Sequence, residues 1–486
     1  MNKIILTCTA CLIMASAFNA QAYAQLFSHC NKPTVQPPSP GTLPGTLRIQ
    51  PPSPGTLPVK PPSTSPLTVL HTFNQQTDGD KPRGSLVFHP LSGRLYGLAG
   101  EGGKNGNYTN GLPCDSETNW NTAIHWSQCP GTLFSMNTDG TDFCVEHAFS
   151  QSTLTKVGSE EGSNSDGYHP WGSLALTSDG VLHGVTLSGG AKGKGVLFSF
   201  DPSIGPSSFN VDHSFCPSAG CDDGSAPMGS LAVLSDGHRV IGTASAGGTH
   251  GDGTVWVWDS SSRTFGSVSL TSATTGRTPL GGFANSSLSG GGAFGMTGSG
   301  LTSYCNEHRG CGAPFYFDPN AMTVTPYPAF PNSIPSLYSQ YAALQTPYVL
   351  PGNHILFPRE GAGFYGTGAL YELDDSHGTW LLSDRFDFHC ISSTPPPSPR
   401  FSNLTGAFPN GQLASLPSAP HVLYGTSVYG GSNGSGAIYS YDTIARTEQL
   451  SYSFPTGSYP AGGLMYYGGA FYGTTYVSSV VFKFVP

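Results

Sequence analysis

The stretch VLYGTSVYGGSNGSGAIYSYD, residues 422–442, returns in degenerate form along most of the chain, and that return restricts the fold more than any single motif does. Each copy alternates apolar and small residues up to a Gly-Thr or similar pair and then crosses a glycine-rich linker. It resumes alternation (Ala437, Ile438, Tyr439, Ser440, Tyr441) and closes on Asp442. Period-two alternation of aromatic and β-branched residues implies strands, and the intervening glycines imply a turn. Related copies occupy residues 181–201, 240–259 and 293–318, the last with a longer loop, and residues 470–484 are the same unit with its loop shortened.

A complete unit is legible in residues 172–215. Gly172-Ser173-Leu174-Ala175-Leu176 reads as a first strand, Ser178-Asp179-Gly180 as a tight turn, and residues 181–186 as a second strand. A glycine-rich loop then leads to a third strand at 196–201 and a fourth in FNVDHSF, residues 209–215. New starts of the G-S-L kind fall at Gly84, Gly172, Gly229, Gly281, near Ala342, at Gly411 and at Gly462. Seven repeats of a four-strand unit predict an all-β, seven-bladed β-propeller, because each small sheet can bury its faces only against its neighbours. The last unit reaches Pro486 after three strands, whereas LTVLHTF at residues 67–73 matches the fourth-strand pattern of VDHSF and LSYSF. The N-terminal strand is therefore predicted to complete the last blade and remove an exposed edge. Composition agrees: 65 glycines, 41 prolines and only 10% charged residues disfavour long helices.

The Y-G-T…G-G…G-x-G…F/Y pattern resembles the GloVer repeat, the choice-of-anchor tandem repeat of secreted bacterial propeller-type proteins, over about residues 67–486. The resemblance implies architecture and carries over no catalytic residue. The fifth unit departs from it, with His354-Ile355-Leu356-Phe357-Pro358-Arg359-Glu360 in place of the Y-G-T segment.

Residues 1–24 combine Lys3, an apolar centre and Ala22-Tyr23-Ala24 before Gln25, the pattern of a cleaved secretory signal peptide. The apolar run is short and broken by Asn19 and Gln21, so no transmembrane segment is expected. Residues 25–66 contain PPSPGTLP twice, at 37–44 and 51–58, and read as an extended Pro-rich spacer. The expectation is an exported monomer that is periplasmic, on the cell surface or extracellular, with its propeller spanning residues 67–486.

In a four-strand meander the 2–3 loops and the blade-to-blade connections emerge on one face, and the 1–2 and 3–4 turns on the other. The short turns at 89–93, 137–140, 178–180 and 374–378 sort to one side. The long segments 102–131, 151–171, 216–228, 298–313, 361–368 and 389–410 sort to the opposite side, making it the expected binding face. It carries Trp120, Trp126, Tyr168, His169, Trp171, Arg359 and Glu360 as candidate binding residues, since aromatic platforms beside polar groups suit sugars. The three tryptophans are equally open to packing their own loops, and Arg359-Glu360 to a structural ion pair. His308, Arg309, His125 and Glu160 are the catalytic candidates, with Glu307-His308-Arg309 offering an acid/base and a cation to a uronate, or else a solvated loop.

Of 11 cysteines, Cys8 and Cys11 leave with the leader. Cys114 with Cys129, Cys216 with Cys221 and Cys305 with Cys311 each fall within one loop and are disulfide candidates in an exported protein. Cys30, Cys144 and Cys390 are left unassigned, Cys30 being the candidate for a free or intermolecular thiol. No zinc-type spacing, EF-hand, G-x-S-x-G, HExxH or P-loop pattern occurs, so no metal or cofactor is expected. Asp78-Gly79, Asp166-Gly167 and Asp223-Gly224, each three residues before a proline, invite a calcium reading but fit better as backbone-capping turns. A formal charge of −9 with only 20 Lys and Arg argues against nucleic acid and acidic membrane surfaces. Three functions stay open: binding of an extracellular ligand, carbohydrate first; polysaccharide degradation by a lyase or hydrolase on the same face; and a structural or adhesive surface role.

Overall fold

The computed structural model describes residues 65–106, 108, 129–152, 162–285, 291–301, 312–330, 345–352, 354–359, 368–374, 381–388 and 406–486. These form seven four-stranded antiparallel meanders arranged as a β-propeller, with one 3-10 turn at Pro206–Ser208 as the helical element. The ring closes as the sequence predicts. Strand Leu67–Thr72 pairs with Val480–Phe484 in antiparallel register, Leu67 opposite Phe484 and Val69 opposite Phe482. Phe73 N–H donates to Ser479 O and Val485 N–H to Pro66 O, extending the seam at both ends.

One glycine position explains the recurring Y-G-T. Gly97, Gly184, Gly242, Gly295, Gly425 and Gly473 lie in the second strands of blades one, two, three, four, six and seven. Opposite them on the third strands stand Phe134, Phe198, Trp256, Phe315, Tyr439 and Phe482. Each aromatic ring lies over its glycine, so that a Cβ there would meet a ring carbon within 2.2–2.6 Å. Glycine is thus selected by the neighbouring ring. Blade five puts Phe357 opposite Tyr371 instead, and both are fully buried.

A second glycine position builds the axis. The sequence reads G-S-L as the start of each first strand, but the first strands begin several residues earlier, at Asp80, Tyr168, Ser225, Arg277 and Ala407. The Gly-Ser step is a break: register shifts between Trp171 and Ala175 and between Asn410 and Ala414, and in three blades it splits the strand in two. The break lets the chain leave its own sheet and touch the next blade. A Cβ on Gly84 would lie 2.0 Å from Gly172 O, and one on Gly172 or Gly229 would lie 2.5 Å from Gly229 O or Gly281 O. Around the ring, a Cβ on Gly281 would lie 2.5 Å from Gln345 O and one on Gly462 2.7 Å from Gly84 O. Hydrogen bonds fix the same contacts, including Ser85 N to Ser173 Oγ, Leu231 N to Ser173 O and Leu464 N to Gln412 O. The result is a backbone collar around the axis.

Each blade interface holds its own apolar cluster, as between blades one and two (Tyr96, Phe149, Leu174, Phe198) and between blades six and seven (Ile438, Phe454, Phe471, Phe482). Outside the cores, the Asp-Gly turns serve as joints. Asp78, Asp166 and Asp223 accept from backbone N–H of Asn74, Ser150 and Cys216, and from or to the ring nitrogens of His71, His147 and His213. Those imidazoles stack flat on Phe143, Phe209 and Phe265 of the following blade at 3.6–3.8 Å. The turn-chemistry reading of these aspartates accounts for their bonds. The leader and most of the spacer expected over residues 1–66 lie outside the described residues.

Candidate functional site

On the insertion-rich side of the collar the axis is plugged. Trp171 of blade two and Tyr476 of blade seven sandwich the Arg83 guanidinium at 3.7 and 4.4 Å from their ring centres. Leu280 and Ala461 complete the buried cluster, with Leu187 and Met228 packed on it. Arg83 donates from Nη2 to Tyr476 Oη at 2.7 Å and lies 3.6 Å from Glu101, whose other oxygen takes Lys81 at 3.0 Å. Burial pulls the Lys81 ammonium down, but Glu101 beside it more than offsets this and holds it above its ordinary value. Nearby Asp80 is raised, chiefly by burial.

The sequence-predicted residues that the structure describes on this side are closed in. Tyr168, His169, Trp171 and Arg359 are each 6% exposed or less. His169 has a left-handed φ of 54°, which at a catalytic residue would suggest stored strain. The same conformation recurs before proline at Lys81, Ala226, Thr278, Phe408 and Tyr459, so it belongs to the repeat. At His169, Ala226, Thr278 and Tyr459 the residue turns its N–H to a carbonyl of the preceding blade, as His169 does to Pro130 O and Tyr459 to Ser435 O. Arg359 reaches from blade five to blade four, donating to Thr297 O and Gly298 O and covering the Phe330 ring at 4.9 Å. It works as a joint between blades. Trp120, Trp126, His125, Glu160, His308, Arg309 and Glu360 lie outside the described residues.

Cysteine expectations divide similarly. Cys216 and Cys221 form the expected disulfide, and Cys129 and Cys144 each take part in a disulfide as well, though no bond joins the two to each other. Cys30, Cys114, Cys305, Cys311 and Cys390 lie outside the described residues. Among the described residues one cluster, His354, Glu372 and Asp374, gathers potential metal donors. Its carboxylate is already committed, for Glu372 bonds His354 through one oxygen and Arg385 through the other.

On the opposite side of the collar the axis opens as a funnel of about 340 Å³ toward the short turns. Its wall is the stretch just past the break in six blades. Ser85, Ser173, Ser230, Thr346 and Gln412 form a polar ring, Asn285 and Tyr348 stand farther out, and Leu, Val, Ala and Phe side chains fill the spaces between. Ser230 Oγ donates to Ser173 Oγ at 3.1 Å and Tyr348 Oη pairs with Ser415 Oγ, so the hydroxyls are aligned by one another. Among the described residues the lining contains no Asp, Glu, Lys, Arg, His or Cys, and Tyr348 is its titratable side chain. Such a cavity is built to hydrogen-bond a ligand rather than to hold a charge. Sequence reasoning passed over these residues because the serine of G-S-L looked like part of a strand start. The available signal was its replacement by Thr346 and Gln412 in other units.

Among the described residues no helix is long and apolar enough to cross a membrane. No family model matches the chain, and no curated protein matches it. Solved structures give fold-level likeness only. TolB from Acinetobacter baumannii is 14% identical over 66% of this chain and 60% of that one, with a TM-score of 0.34. The β-propeller domain of the Trilobed protease from Pyrococcus furiosus is 8% identical over 85% and 94%, with a TM-score of 0.42. The tricorn protease is 13% identical over 62% and 24%, with a TM-score of 0.33. The chain thus spans 60% of the length of the TolB chain and about a quarter of the tricorn protease chain.

Proposed function

We propose that this chain is an exported binding propeller whose axial funnel takes a neutral, hydroxyl-rich ligand, carbohydrate being the class that fits. The observation that carries the reading is the funnel's chemistry: hydroxyls and amides from several blades converge on one open cavity whose described lining holds no carboxylate, imidazole, ammonium or guanidinium. Sugar hydroxyls match alternating donors and acceptors, and the apolar strips between the serines suit a pyranose face. An acidic or basic ligand would find no counter-charge among the described lining residues, and the one titratable side chain there, Tyr348, is paired with Ser415. The same reading takes residues 1–24 as a leader, residues 25–66 as the spacer that holds the propeller off a surface, and the repeat as of GloVer type.

The insertion-rich face, with Trp120 and Trp126, is the rival location on the same molecule. Titration calorimetry against a panel of neutral and uronate-containing oligosaccharides separates the two. Wild type is expected to bind a neutral member. Gln412→Ala, removing one hydrogen-bonding group, should weaken binding about 2- to 12-fold. Gln412→Trp, which narrows the funnel from an exposed position, should abolish it, while Trp120→Ala and Trp126→Ala leave it unchanged. Release of reducing ends or unsaturated uronates, or binding that survives Gln412→Trp, would overturn the reading.

A further inference from the structure

A second cavity, of about 290 Å³, opens between blades two and three at the short-turn rim. From its position and its uncommitted groups we infer that it binds a guanidinium group. Two blades of the same chain differ at this point. In blade one the corresponding space is filled from within by Arg94. Its Nε and Nη2 donate to Ser135 Oγ at 3.1 and 2.9 Å, its Nη1 to Asn137 Oδ1 and its Nη2 also to Asp142 O. Ser135 Oγ in turn donates to Glu146 at 2.6 Å.

Strand register equates each of these residues with one in blade two. Tyr96 is opposite Ser135, and His183 is opposite Ser199. Counting from those pairs, Arg94 corresponds to Val181 and Asn137 to Asp201; on the fourth strands, Phe134 opposite Val145 and Phe198 opposite Val211 equate Glu146 with Asp212. The acceptors are therefore kept, and made more acidic by Asp201, while the cation they surround in blade one is replaced by valine. Val181, Ser199, Asp201 and Asp212 all line the cavity.

Asp201 Oδ1 already accepts from the Ser203 N–H and hydroxyl, so the groups still open to a donor are the deeper ones. His183 is 2% exposed, and neither of its ring nitrogens has a hydrogen-bond partner. Asp212 Oδ2 likewise has no hydrogen bond, its contact with His183 Nδ1 being a long ion-pair distance of 3.5 Å. Asp212 Oδ1 accepts from Asn210 and forms a second long ion pair, at 3.6 Å, with Arg263, which is largely exposed at the rim and leaves Oδ2 to an incoming donor. Buried carboxylate oxygens are costly without a donor, and a planar fork of N–H groups satisfies a carboxylate, a hydroxyl and an imidazole nitrogen together. Asp179, Asp201 and Asp212 against Arg263 leave the cavity net acidic, which favours a cation over the neutral ligand of the axial funnel.

The test uses argininamide as the free-ligand probe and a short acetylated arginine peptide as the polypeptide-borne one, both by titration calorimetry on the full mature chain. One site is expected, weakened about tenfold or more by Asp212→Asn. Val181→Arg should supply the guanidinium internally as Arg94 does, abolishing binding of both probes and raising the urea midpoint. Preference for the peptide would identify an arginine of a partner chain, and preference for argininamide a small molecule; each supports the guanidinium assignment. Equal binding by wild type, Asp212→Asn and Val181→Arg would show attraction to the acidic surface alone and overturn it. Binding of zinc ion lost in His183→Ala, with neither arginine probe bound, would overturn it in favour of a metal.

Discussion

Gly84→Ala puts the axial collar to the test at its tightest point. The added Cβ would lie 2.0 Å from Gly172 O and 2.6 Å from Gly172 C, well inside the roughly 3.5 Å at which non-bonded carbons rest. Both obstacles are backbone atoms. Gly172 has little room to retreat, because its own Cβ position is 2.5 Å from Gly229 O, and Gly229 stands in the same relation to Gly281. Strain introduced at one blade is thus passed along the ring. Overpacking of this kind costs about 1–3 kcal/mol, the upper end applying where the neighbours cannot move. The reduced entropy of the unfolded alanine chain returns about 0.4–1 kcal/mol. A net loss of about 2 kcal/mol is expected, read as a lowered urea midpoint at unchanged slope. Gly266→Ala is the control: its Cβ would meet the flexible end of Met322 at 3.2 Å and Val257 at an ordinary contact distance of 3.7 Å, and the variant should be within about 0.5 kcal/mol of wild type. If Gly84→Ala and Gly266→Ala unfold at the same midpoint, the collar is not a close-packed element and the reasoning fails.

Two further outcomes follow from named contacts. Arg83→Met removes the guanidinium between Trp171 and Tyr476 and its bond to Tyr476 Oη, while Glu101 keeps Lys81; a loss of about 2–4 kcal/mol in urea unfolding is expected, whereas Arg263→Met, at an exposed rim, should change stability by less than about 0.5 kcal/mol. Asp259 is held down to about 2 by the Ser261 hydroxyl and by the Ser262 and Ser261 backbone N–H groups. Since its folded value is depressed, its stabilising contribution is present above the ordinary carboxylate range and is lost as pH falls through that lowered value. Carbon-detected NMR titration should show the depression, and Ser261→Ala should move the midpoint upward; an unchanged midpoint would contradict the assignment.

Much of the scaffold was legible because it depends on local alternation and on matching the two chain ends. LTVLHTF announced itself as a fourth strand, and the Asp-Gly turns announced themselves as caps. The G-S-L step was not legible as a break, since a close approach between blades leaves no periodicity in either strand. The same blindness affected the aromatic residues. Trp171 and His169 have the composition of a sugar platform, yet the bulge turns Trp171 onto Arg83 and His169 into a packed joint. Conversely, Ser173 and Gln412 carried no individual signal. Their chemistry arises only where the blades meet on the axis, which no single repeat contains.

Crystals of the propeller, residues 67–486, soaked in the neutral oligosaccharide retained most tightly in the calorimetric panel give the most direct measurement. The account predicts a sugar ring seated in the axial funnel, within hydrogen-bond reach of Ser173, Ser230 and Gln412. Sugar density confined to the loops bearing Trp120 and Trp126, with the funnel holding only solvent, would contradict it.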